Sequence, residues 1–132
     1  MLALRSPQLV ALRSIRLAPH LPELAGSLRE RFPAELEARS DAQLLALVGE
    51  AGLRALSHEL TSLRDISRFL NLQVVLGWGF DAEEPGQSWV CEILDDPEVP
   101  SPSVRIDRLV KACIARLELE EQNARLRRRF GA

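Results

Sequence analysis

The sequence predicts an all-α protein, a compact orthogonal helical bundle of about five to six helices with a long, partly projecting C-terminal helix. Three observations predict it. Apolar residues recur at helical spacing between breakers, as at Leu24, Leu28 and Phe32. Two serine caps, Ser40 with Gln43 and Ser62 with Asp65, open long apolar segments. No stretch alternates with a period of two, and the only adjacent β-branched pair, Val74-Val75, sits inside a helical repeat.

Proline and glycine divide the chain. Ser6-Pro7 starts a first helix from which Leu9, Val10, Leu12 and Leu17 face inward, and Pro19-His20-Leu21-Pro22 breaks it. A second helix runs from about Pro22 to Phe32, where Pro33 redirects the chain. The third begins at the S-x-x-Q box of Ser40. Its apolar set, Leu44, Leu45, Leu47, Val48, Ala51, Leu53, Ala55 and Leu56, is wide enough to be buried on more than one side. Gly49 and Gly52 within it imply close helix packing, since each costs about 1 kcal/mol relative to Ala. The fourth and most central helix ends near Leu76, with Ile66, Phe69, Leu70 and Val74 inward and Gly77 as its stop.

A loop through Trp78, Pro85 and Gly86 leads to a short fifth helix over Ser88 to Leu94, anchored by Trp89, Ile93 and Leu94. The last helix runs from about Ser103 to Arg129 with Ile106, Leu109, Val110, Cys113, Ile114 and Leu117 at helical spacing. Beyond Leu117 the stripe thins to Ala124, Leu126 and Phe130, so this end projects. The expected core includes Leu45, Val48, Phe69, Leu70, Trp89, Leu109 and Cys113.

The chain of 132 residues is one domain, able to bury a core without disulfides or metals. Residues 1–22 form its N-terminal helix and turn, and 118–132 its projecting charged end. A net charge of −2 argues against a general nucleic-acid binder. Sixteen of the 17 basic residues are Arg, with Lys111 the exception. Two cysteines without a spacing motif, no apolar run of membrane-spanning length and no signal-peptide pattern point to the cytoplasm.

Catalytic chemistry finds no footing. His20 and His58 lack a second ligand at helical spacing and read as surface or capping residues, so no metal is expected. Cys91 and Cys113 read as small core groups. There is no phosphate loop and no nucleophile elbow, so neither a cofactor nor an enzyme activity is expected. Asp81, Glu83, Glu84, Glu92, Asp95, Asp96 and Glu98 form an acidic stretch free of Lys and Arg, either a solvated edge or a docking patch for a basic partner. Arg125, Arg127, Arg128 and Arg129 form a basic tip that favours the negative end of a helix dipole or an acidic partner. Trp78, Phe80 and Trp89, half of the six aromatics, pin the loop to the core or serve as interface anchors. The candidate partner-binding residues are thus Trp78, Phe80, Asp81, Glu83, Glu84, Arg125, Leu126, Arg127, Arg128, Arg129 and Phe130.

An ordered set of motifs carries a resemblance. Leu28-Arg-Glu-Arg-Phe-Pro33 is followed by Leu63-Arg-Asp-Ile-Ser-Arg-Phe-Leu-Asn-Leu72, Leu76-Gly-Trp-Gly-Phe-Asp81, Trp89-Val-Cys-Glu-Ile-Leu-Asp-Asp96 and Arg105-Ile-Asp-Arg-Leu109. Over roughly residues 24 to 115 the chain resembles helical accessory proteins of bacterial type VI secretion loci. It is similar there to the C-terminal helical region of adaptor proteins, the chaperones that load toxic effectors onto the secreted spike. It lacks the larger N-terminal portion of a full adaptor, and its Arg-rich end has no counterpart. The resemblance implies a protein-protein interaction module that binds a spike, adaptor or effector, with no catalytic residues. The alternatives are an immunity protein that blocks a cognate toxin and a helical nucleic-acid-binding regulator. Self-association through the last helix is a further expectation; a membrane is not.

Overall fold

The computed structural model describes residues 7–81 and 88–130, and over these it holds six α-helices and no strand. The helices are α1 (Pro7–Leu17), α2 (Leu21–Arg31), α3 (Asp41–Ser57), α4 (Leu63–Leu76), α5 (Ser88–Leu94) and α6 (Pro102–Phe130). The expected break between the first two helices is a single 3-10 turn, Ala18–His20, set by Pro19 and Pro22. Pro33 stops α2, and a turn-rich segment leads to Ser40.

Local chemistry explains the boundaries. Ser40 makes a reciprocal capping box: its Oγ accepts from the Gln43 N–H at 3.1 Å, while its own N–H donates to Gln43 Oε1 at 2.9 Å. Ser62 Oγ accepts from the Asp65 N–H at 3.1 Å and opens α4. Asp65 does not complete a second box; its buried carboxylate accepts from Ser103 at the start of α6. Gly77 ends α4 at φ 109°, a left-handed value that favours glycine. Glu59, just past α3, has φ 70° without being glycine. Its carboxylate accepts from Arg105 Nη2 at 2.7 Å, which ties the end of α3 to α6.

The core lies among α2, α3, α4 and the first half of α6. Leu28, Val48, Ala51, Phe69, Leu70, Ile106 and Leu109 are all at most 1% exposed. At about 25 cal/mol per Å2 of apolar surface removed from water, each large side chain among them contributes about 1.5–3 kcal/mol before entropy is set against it. Gly52 serves the close approach expected of it: a Cβ there would lie 2.9 Å from Leu17 Cδ2 of α1.

Three core expectations are corrected. Leu45 is 39% exposed, because α3 buries the stripe of Leu44, Val48, Ala51, Ala55 and Leu56 and turns Leu45 outward. Leu12 is 64% exposed, since α1 packs on α3 through Val10 and Leu17. Trp89 is only partly buried at the rim, while Val90 and Leu94 carry α5 into the core. Every buried residue of α6 lies at or before Cys113.

Candidate functional site

The aromatics of the loop after α4 were expected to pin it to the core or to anchor a partner, and Asp81 to belong to a solvated edge or a docking patch; the structure turns both Phe80 and Asp81 inward. Phe80 is 3% exposed, and its ring lies tilted against that of Phe69 with centroids 5.6 Å apart. Asp81 is buried and gathers a polar cluster from three elements. Arg54 Nε of α3 donates to Asp81 Oδ1 at 3.1 Å, and Gln73 Nε2 of α4 donates to the same oxygen at 3.0 Å. Arg54 Nη2 and the Gly79 N–H both donate to Gln73 Oε1, which fixes the turn. His58 lies 3.1 Å from Asp81 Oδ2 through Nε2 and 2.8 Å from Asp95 Oδ1 through Nδ1.

His58 is the C-cap residue of α3, as expected of a capping residue, but its side chain does not lie on the surface. Its imidazole bridges two carboxylates that stand on either side of α5. Burial alone would lower its pKa, but the hydrogen bonds and charges of Asp81 and Asp95 outweigh that and raise it to about 9. Burial likewise opposes ionisation of Asp81. The His58 and Gln73 hydrogen bonds and the Arg54 charge overcome this and hold it at about 2. The acidic stretch is thus not a uniform exposed edge, because Asp81 and Asp95 are engaged with His58. Glu83 and Glu84 lie outside the described residues. Cys91 donates to the Asp81 carbonyl at 3.3 Å, and burial pushes the Cys113 thiol up to about 11. Arg54, His58, Gln73, Asp81 and Asp95 form an internal charge-balanced clasp.

The residues of the last helix stand differently. From Ile114 to Phe130 every side chain of α6 is exposed except the half-buried Ala124. Leu119, Leu126 and Phe130 are 57%, 53% and 75% exposed. Arg125 pairs with Glu121 one turn back. Arg127, Arg128 and Arg129 extend into solvent, with the Arg129 guanidinium 6.0 Å from the Phe130 ring. At the root of this segment the Arg116 guanidinium sits 3.9 Å over the Trp89 ring, which closes the joint between α5 and α6.

The predicted residues therefore fall into two groups that the fold does not bring together. Asp81 belongs to the clasp, Phe80 and Trp78 pack with the core, and Arg125 to Phe130 belong to the free rod. Sequence reasoning missed His58, Arg54, Gln73, Glu59 and Arg105. Arg54 and His58 stand four apart on one helix face, the only local hint of a shared partner.

Surface hollows lie elsewhere on the described residues, and one of about 340 Å3 runs along Gln122, Arg125, Leu126 and Arg129 of α6. A cleft of about 340 Å3 between α1 and α4 is edged by Arg13, Arg16, His20 and Thr61 above Leu56 and Ile66. Another of about 400 Å3 runs between α2 and α3 past Ala25, Gly26, Leu44 and Leu45. Among the described residues no His, Cys, Asp and Glu side chains are grouped to hold a metal ion, and no helix is long and apolar enough to cross a membrane.

The chain matches no protein-family model, no curated protein and no solved structure.

Proposed function

We propose that this chain is a non-catalytic protein-binding module whose docking element is the free end of α6. The observation that carries this reading is the exposure of Leu119, Leu126 and Phe130 on a helix whose buried contacts stop at Cys113. Apolar side chains held out on a helix, beside a charged tip, suit a groove or a second helix on another protein. The placement in a type VI secretion locus, as a chaperone-like accessory binding a spike, adaptor or effector in the cytoplasm, rests on the motif order from Leu28 to Leu109.

The test is co-purification from the native host, followed by binding assays with the proteins encoded beside this chain. A spike, adaptor or effector retained by the full chain, and lost on truncation after Leu117, supports the proposal. Binding to a toxin with inhibition of its activity replaces the chaperone role with an immunity role. Retention of the partner by the truncated chain moves the site to the body, where the groove past Leu44 and Leu45 is the first surface to mutate.

A further inference from the structure

The end of α6 carries two patterns that the body does not use. Leu119, Asn123, Leu126 and Phe130 follow at intervals of four, three and four, the spacing of a seam along a two-helix coiled coil. With 3.6 residues per turn, this seam lies roughly 100° around the helix from the face that Ile106, Leu109 and Cys113 press into the body. The second pattern is charge segregated along the axis. Glu118, Glu120 and Glu121 come first, and Arg125, Arg127, Arg128 and Arg129 follow. Only Glu121 finds an arginine four residues on, and it pairs with Arg125. The corresponding positions after Glu118 and Glu120 are Gln122 and Ala124. Among the described residues these two glutamates, Arg127 and Arg128 have no ion-pair partner.

We infer that the seam is covered by the same segment of a second copy, laid antiparallel. The inference rests on the reading of the α6 end as a docking element. With the two-fold axis between Ala124 and Arg125, Leu119 meets Phe130 of the second copy and Leu126 meets its Asn123. The acidic block of each copy then lies beside the arginine block of the other, and symmetry makes this contact twice. A parallel pair would set glutamates against glutamates and arginines against arginines. It would also bring the two Arg116 side chains together, next to the Trp89 rings they cover. The bodies stand at opposite ends of the antiparallel pair. The seam from Leu119 to Phe130 is roughly 17 Å long, too short to bury the ~1,200 Å2 of a standard interface, so the dimer dissociates on dilution.

Sedimentation equilibrium of the full chain, over about 5–500 μM and at low and high salt, tests this. The expected result is a reversible monomer–dimer equilibrium that weakens about tenfold when salt screens the blocks. Leu126→Asp should be monomeric throughout with unchanged circular dichroism. A triple variant, Glu118→Arg with Glu120→Arg and Glu121→Arg, should be monomeric alone. So should Arg125→Glu with Arg127→Glu and Arg128→Glu, and an equimolar mixture of the two should dimerise. Both sets keep good helix formers. A protein monomeric across the range, a dimer indifferent to Leu126→Asp, or a dimer that tightens in high salt would each overturn the inference. A monomer that still loses a protein partner on truncation after Leu117 would overturn self-pairing and leave the docking role standing. Truncation without effect on either would remove both.

Discussion

Phe69 is the largest fully buried side chain among the described residues. It has no exposed surface, and its ring contacts His58 at 5.7 Å on one side and Phe80 at 5.6 Å on the other. It thus couples the apolar core to the polar clasp. Phe69→Ala should cost about 3–5 kcal/mol in urea unfolding, because the surrounding helices relax only partly into the space left. A loss below about 1 kcal/mol would show that the neighbouring rings collapse into it. Glu59 gives a second test at this scale. A glycine would suit its φ of 70° better, yet glutamate stands there with its carboxylate on Arg105. Glu59→Gly should therefore be destabilising despite relief of the backbone. The Arg105 guanidinium, itself 4% exposed, would keep only its bond to the Val99 carbonyl. A variant more stable than the parent would show that the backbone outweighs the ion pair.

At the scale of whole elements, the last helix divides into a buried half and a free half. Removing the chain after Leu117 takes away no buried residue of α6. Thermal unfolding of the truncated chain should therefore match that of the full chain to within about 0.5 kcal/mol at low concentration. A larger loss would mean that the free half contacts the body. The helices themselves were legible in the sequence because local chemistry sets them. The Ser40 and Ser62 caps, Gly77 and the proline breaks place α3 and α4 at the expected starts and stops, and α2 is displaced by one residue. That α6 has a free end was legible too, from the thinning of its apolar spacing, but the boundary was read one turn late: Ile114 and Leu117 keep the spacing and are nevertheless 51% and 42% exposed. The clasp was not. His58, Asp81 and Asp95 are far apart in the chain, and no local pattern marks a carboxylate whose counter-charge arrives from another helix. Leu45 failed for a related reason: a wide apolar surface says that α3 is covered on several sides, and only packing decides which leucine is left out.

Across the molecule, His58 connects the end of α3, the turn after α4 and the end of α5, so its proton acts on the whole fold. The folded pKa of about 9 exceeds the unfolded 6.5. Its stabilisation is complete below about pH 6.5 and is lost as pH rises through 9. Asp81, held at about 2 against 3.8, contributes above about pH 3.8 and loses that contribution as pH falls through 2. Stability should therefore peak between about pH 4 and 6.5. It should decline by up to about 3 kcal/mol on the alkaline side, counting the shared ion pair once. The alkaline limb is easily read in this protein, which has no tyrosine and a single lysine. His58→Gln should flatten it in denaturation midpoints measured from pH 6 to 10. A limb that survives this change would assign the titration to another group. The 29-residue length of α6 has a separate consequence, for hydrodynamics. A helix of that length is roughly 43 Å long, against a radius of gyration near 13 Å for a compact domain of about 100 residues. A rod fixed to a small body raises the frictional coefficient. Even the monomer should elute early from a sizing column, so its mass is to be taken from sedimentation or light scattering and not from elution volume.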